Sequence, residues 1–136
     1  MTTWTREELD KIGRADELEI ASVRGDGTLG ERVTIWVVPY EDDLYVRSWK
    51  GKTAAWFRAT QRRRRGRVWA GGLERDVRFV NADHGLDDAI DAVYRDKYRR
   101  YSASFVDPMV SPEARATTIK LVPQERGTDV TAGETG

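Results

Sequence analysis

The sequence predicts a mainly β protein with some helix: a small, largely antiparallel barrel of six short strands with helices packed outside. Three observations predict it. Runs of β-branched and aromatic residues recur along the chain, polar turn-length segments separate most of them, and three helical patterns interrupt the series. The 136 residues, 39% of them hydrophobic with five Trp, five Tyr and three Phe, amount to one domain able to bury its own core. That domain is expected over residues 1–123, with residues 124–136 as a polar, mobile tail.

Thr5 and Glu8 have capping-box spacing, and Trp4 and Leu9 that of a hydrophobic staple, so a helix is expected from Arg6 to Gly13. Leu18 to Val23 alternate as a strand that enters the glycine-rich turn at Gly25 to Gly30. Arg32 to Tyr40 read as one strand, and EDD at 41 to 43 turns it into a hairpin with Leu44 to Trp49. Thr53 is placed to cap a helix through Ala54, Ala55 and Ala59. Residues 66–72 pair with 75–80 as a second hairpin. Leu86, Ile90, Val93, Tyr94, Tyr98 and Tyr101 form the stripe of a third helix. Residues 102–116, with Pro108 and Pro112, read as a loop, and 117–123 as the last strand.

Composition excludes several function classes. There is no Cys, which removes disulfide frameworks, thiolate zinc sites and cysteine nucleophiles together. No apolar run approaches the ~18–20 residues of a membrane-spanning helix, and the acidic, polar N-terminus does not read as a secretion signal. A cytoplasmic protein is expected. The formal net charge is zero, yet residues 1–31 carry a net of −4 and residues 47–75 a net of +9. A basic middle of this density points to an anionic partner or to compensation by acids elsewhere in the fold.

His84 is the single imidazole and sits in NADHG, a turn before a helix, without the context of a triad or metal motif. Asp87, Asp88 and Asp91 fall in a helix's first turns, where they complement its dipole. Gly51-Lys52-Thr53 looks like the end of a phosphate loop but has Val46 where that motif needs glycine. What remains is a strand end carrying Arg47, Ser48, Lys50 and Lys52 that runs into a helix start at Thr53. Cations, backbone N–H groups and a helix dipole would converge there on a phosphate. The run RRRRGR at 62–67 reads either as a solvated helix end or as an anchor for a polyanionic ligand tail. Binding of single-stranded nucleic acid ranks last, because the run has no interleaved aromatic before Trp69.

The segment RVTIWVVPYEDDLYVRSWKGKTAAWF resembles the flavin-binding core of the split-barrel superfamily, which includes pyridoxamine-phosphate oxidases and deazaflavin-dependent nitroreductases. In those families a strand beginning with Arg leads through a hairpin to a Ser/Arg/Lys phosphate loop and then a helix. The matching positions are Arg32 and Thr34, then Val46, Arg47 and Ser48, then Lys50 and Lys52. Ala55-Trp56-Phe57 looks like the Ala-Trp-aromatic triplet of the deazaflavin branch, with Ala59 and Thr60 where that branch has Asn-Leu. Within the superfamily the chain is most similar to the bacterial group named domain of unknown function 2255.

The resemblance covers about residues 17–123. It implies a split barrel that holds FMN or a deazaflavin coenzyme through Arg32, Thr34, Val46, Arg47, Ser48, Lys50, Lys52, Thr53 and Trp56. The implied activity is oxidoreduction of small planar acceptors such as quinones or nitroaromatics. The cofactor would do the hydride chemistry, which is compatible with a sequence lacking an evident catalytic constellation. The alternative is a barrel that binds a cofactor or another anion without catalysis. The sequence leaves the catalytic residues open, points to no metal, and leaves open whether a homodimer forms.

Overall fold

The computed structural model describes residues 3–124. Helix α1 (Arg6–Arg14) starts at the expected capping box, with the Thr5 hydroxyl and the Glu8 carboxylate each accepting from the other's backbone N–H. The strands are β1 (Leu18–Ser22), β2 (Val33–Ile35), β3 (Val38–Tyr40), β4 (Asp43–Val46), β5 (Arg65–Ala70), β6 (Leu73–Asn81) and β7 (Ile119–Pro123). Between them lie α2 (Ala55–Arg63), α3 (Asp87–Lys97), and the one-turn helices α4 (Ala103–Val106) and α5 (Pro112–Arg115).

The seven strands form one sheet in the order β2-β1-β5-β6-β7-β4-β3, with every neighbouring pair antiparallel. Its two edge strands, β2 and β3, are consecutive in the chain and separated only by Trp36 and Val37. A sheet whose outer strands are joined by two residues has to curl until its edges meet, so the connectivity imposes the half-barrel. One sheet face fills the interior with Leu18, Ile20, Leu44, Val46, Phe79 and Leu121, closed by Trp4, Leu9 and Ile12 from the N-terminal segment. Trp4 Nε1 donates to the Leu121 carbonyl at 2.8 Å. The opposite face of β3 and β4 packs Val38 and Tyr45 against Ile90, Tyr94 and Tyr98 of the α3 segment.

Four expectations are corrected. The strand expected over Arg32 to Tyr40 breaks into β2 and β3, which raises the count from six to seven. At the break, groups from the end of α3 bind the backbone in place of a strand partner. Tyr98 Oη takes the Val37 N–H at 3.2 Å, and Lys97 Nζ donates to the Val37 carbonyl at 2.5 Å and the Ala15 carbonyl at 2.7 Å. The loop expected at 102–116 contains α4, a 3₁₀ turn at Asp107–Val110 and α5. The helix expected to start at Thr53 starts at Ala55, preceded by a 3₁₀ turn at Gly51–Thr53, and Thr53 Oγ1 donates back to the Lys50 carbonyl instead of capping it. The last strand starts at Ile119, because the Thr117 and Thr118 hydroxyls are engaged with Ser48 and Arg47. Residues 125–136, most of the expected tail, lie outside the described residues. No helix among the described residues is long and apolar enough to cross a membrane.

Candidate functional site

Strand β4 alternates between the barrel interior and the face covered by α3, and this alternation decides the fate of the residues that follow it. Leu44 and Val46 point inward and Tyr45 outward. Arg47 falls on the side of Tyr45 and is 1% exposed. Its Nη1 donates to Asp91 at 2.6 Å and to the Met109 carbonyl at 2.9 Å, its Nε to Thr118 Oγ1 at 2.9 Å, and its Nη2 to the Asp87 carbonyl at 3.3 Å. Arg115 grips the same Asp91 carboxylate through Nε and Nη2. Burial pushes the Asp91 carboxyl up, but hydrogen bonds and charge from Arg115 and Arg47 outweigh it and hold the group below its ordinary value. The Arg47 guanidinium therefore ties β4 to α3 and to the 107–118 segment.

Ser48 begins a tight turn in which the Gly51 N–H returns to the Ser48 carbonyl at 3.0 Å. Gly51 adopts φ +69°, a left-handed conformation, and a Cβ there would stand 3.2 Å from Glu113 Cβ, so glycine is required at this corner. Ser48 is 2% exposed and its N–H donates to Thr117 Oγ1, yet its own Oγ has no hydrogen-bond partner among the described residues. An orphaned buried hydroxyl costs free energy unless something supplies a partner.

Ser48 lies on the wall of a cleft of about 750 Å³, the size of a small-molecule site. One side is β2 and its continuation, Thr34, Ile35 and Trp36. The other is the start of α2, Ala54 to Trp56, and the exposed Trp49 and Phe105 and the buried Met109 complete the lining. Trp36 is held flat against Tyr98, with ring centroids 3.8 Å apart and planes within 4°. Trp49 and Phe105 are 60% and 63% exposed, which is unusual for rings of this size. Helix α2 opens on this cleft with Ala54 as its N-cap and no side chain capping it. The first N–H groups of an uncapped helix lack intrahelical partners and carry the positive end of its dipole. Lys50 lines the cleft, with its ammonium 5.3 Å from the Trp49 ring centre.

The structure thus brings together Thr34, Ser48, Lys50 and Trp56 of the sequence-derived set, with Arg47 reaching the wall from behind. It does not place the other four in the lining. Arg32 pairs with Glu19 at 3.1 Å and stacks on Trp69 at 3.8 Å. Val46 is fully buried in the barrel, and Lys52 and Thr53 are exposed and outside the lining. Sequence reasoning left Trp36 outside the site set, reading it first as core, and missed Phe105 and Met109 because they sit in a segment read as loop. A one-turn helix leaves no periodicity to find. Among the described residues no cluster suited to a metal ion exists.

Residues 8–121 match the model of a family described as an uncharacterised protein conserved in bacteria, DUF2255. The chain belongs to this family. The DUF2255 chain also shares its fold with solved structures of low sequence identity. A candidate pyridoxamine 5′-phosphate oxidase of Listeria innocua superposes with a TM-score of 0.60 at 17% identity, over 88% of this chain and 92% of that one. An F420 reductase gives 0.53 at 16% identity, over 86% and 93%. HutZ, a heme storage protein of Vibrio cholerae, gives 0.59 at 12% identity, over 88% and 90%. No curated protein matches by sequence. The split-barrel resemblance read from the Arg32 to Phe57 segment is borne out at the level of family and fold.

Proposed function

We propose that the DUF2255 chain holds a flavin-type cofactor, FMN or a deazaflavin coenzyme, in this cleft and catalyses its reaction with small planar acceptors such as quinones or nitroaromatics. The observation that carries the reading is Ser48 Oγ, a buried hydroxyl without a partner on the wall of a ligand-sized cleft. Beside it stand the uncapped start of α2 and the Lys50 ammonium, so the donor set suits a phosphate. The flat, stacked Trp36 and the Trp56 ring suit a planar ring system.

When bound, such a cofactor supplies the hydride chemistry. Ser48 would donate its hydroxyl hydrogen to the phosphate, and Lys50 and the α2 N–H groups would offset its charge. Thr34 would offer a hydroxyl to the bound group, and Trp49 and Phe105 would help to exclude water from it. Arg47 acts as a positioning residue, fixing the start of the 48–51 turn and the Met109 carbonyl. A solved F420 reductase and a nitroimidazole-resistance protein built on the same fold lend general support to this chemistry.

The test is anaerobic mixing of protein with reduced FMN or reduced deazaflavin coenzyme and a quinone or nitroaromatic. Oxidation faster than in the protein-free control is expected. Tight cofactor binding with no acceleration across a broad acceptor panel would overturn the catalytic reading in favour of a carrier.

A further inference from the structure

A second cleft of about 720 Å³ continues from the first along α2. Val33, Ala55 and Trp56 line both, so the two meet at the Trp56 ring. The far end of the second cleft is basic. Arg62 and Arg63 enter it from the last turn of α2, and Arg24 from the turn after β1. Gly25 leaves room for one guanidinium over that turn: a Cβ there would stand 2.6 Å from Arg63 Nη2. None of the three arginines forms an ion pair among the described residues. Arg24 lends only its field to Asp26, and Glu31 is the single carboxylate in the lining.

The rest of the arginine run goes elsewhere. Arg64 takes a left-handed conformation at the end of α2 and donates to the Gln61 carbonyl, and Arg65 begins β5 opposite Arg78. The fold therefore sorts RRRRGR, directing two of its arginines into a cleft and adding a third from a distant turn. At ~1.5 Å of helix rise per residue, Arg62 and Arg63 stand about 9–11 Å beyond Trp56. Three like charges held at one cleft end repel one another until an anion arrives.

We infer that the second cleft is an anion subsite for a polyanionic extension of the ligand held in the first, a pyrophosphate or a short chain of carboxylates. This deepens the cofactor reading and rests on it for the occupant of the first cleft. The shared chemistry is two or more negative charges within side-chain reach of arginines whose backbone stands about 9–11 Å past Trp56. A dinucleotide flavin would supply it as pyrophosphate and a tailed deazaflavin as carboxylates. FMN, which ends at one phosphate, would leave the subsite empty.

The experiment compares the wild-type protein with the variant Arg24→Gln, Arg62→Gln, Arg63→Gln. Both are titrated at low salt with FMN, FAD and the deazaflavin coenzyme, and separately with inorganic pyrophosphate and tetraglutamate. All three residues are exposed, so equal thermal midpoints should confirm that the variant folds. The expected result is unchanged FMN affinity and about a tenfold loss for FAD or the tailed deazaflavin, fading as salt is raised. The simple polyanions keep the subsite testable should no flavin bind the wild type. Shifts of the Arg62 and Arg63 side-chain NMR signals with either polyanion, absent from the variant, would support the subsite alone. An equal loss for FMN and the tailed ligands, or no response to either polyanion in the wild type, would overturn it.

Discussion

Arg47 is charged, 1% exposed and bound to a carboxylate, a hydroxyl and two carbonyls, so its removal would strand Asp91 in the interior with only Arg115. Deleting one partner of such a pair typically costs about 3–5 kcal/mol. Arg47→Ala is therefore expected to lower the unfolding free energy from urea denaturation by an amount in that range, whether or not cofactor is present. A variant of wild-type stability that had only lost ligand affinity would return the guanidinium to the phosphate. The sequence shows a cation at the end of a strand, and the phosphate reading follows from its neighbours Ser48 and Lys50. Period-two alternation from Leu44 does put Arg47 on the face of Tyr45. What alternation cannot tell is that α3, some forty residues later in the chain, covers that face with Asp87 and Asp91. Ser48 was visible in the sequence as a polar residue at the strand end, but its burial and its N–H bond to Thr117 Oγ1 depend on a segment some seventy residues later.

At the scale of elements, the β2–β3 corner is held by side chains from the end of α3. Lys97 lies against the Tyr98 ring, with its ammonium 5.0 Å from the ring centre, and Asp16 and Arg100 are the charged groups that act on it. Burial pushes the ammonium down to about 8, Asp16 opposing and Arg100 reinforcing the shift. Between that value and the ordinary 10.5, the unfolded chain holds a proton that the folded chain has released. Unfolding then takes up protons, so the contribution of Lys97 to stability rises with pH across this window. The neutral amine keeps two N–H donors for the Ala15 and Val37 carbonyls. Relative to Lys97→Met, the wild-type urea midpoint should climb between about pH 8 and pH 10.5. A difference that stays constant over the range would show that the ammonium is not desolvated at the corner. The local mark in Arg32 to Tyr40 is Pro39, which fits an edge strand without placing the break, and the contacts that interrupt the run at Val37 come from sixty residues away.

For the molecule as a whole, the connectivity makes the barrel and the barrel makes the cleft. Joining edge strands β2 and β3 by two residues curls the sheet, and the curl sets Thr34 and Trp36 across from the start of α2. The antiparallel class, the hairpins and the three longer helices were legible because they rest on short-range signals: caps, turn residues and periodicity. Sheet order and the α4–α5 segment rest on long-range packing and were not. The direct measurement of the central claim is an equilibrium titration of FMN and of the deazaflavin coenzyme into wild-type protein and Ser48→Ala, followed by tryptophan fluorescence. The geometry predicts saturable quenching with one cofactor per chain, and an affinity at least ~10-fold weaker once the Ser48 hydroxyl is gone, in line with a hydrogen bond to a charged group. Equal affinities for the two proteins, or no saturable binding of either cofactor to the wild type, would contradict it.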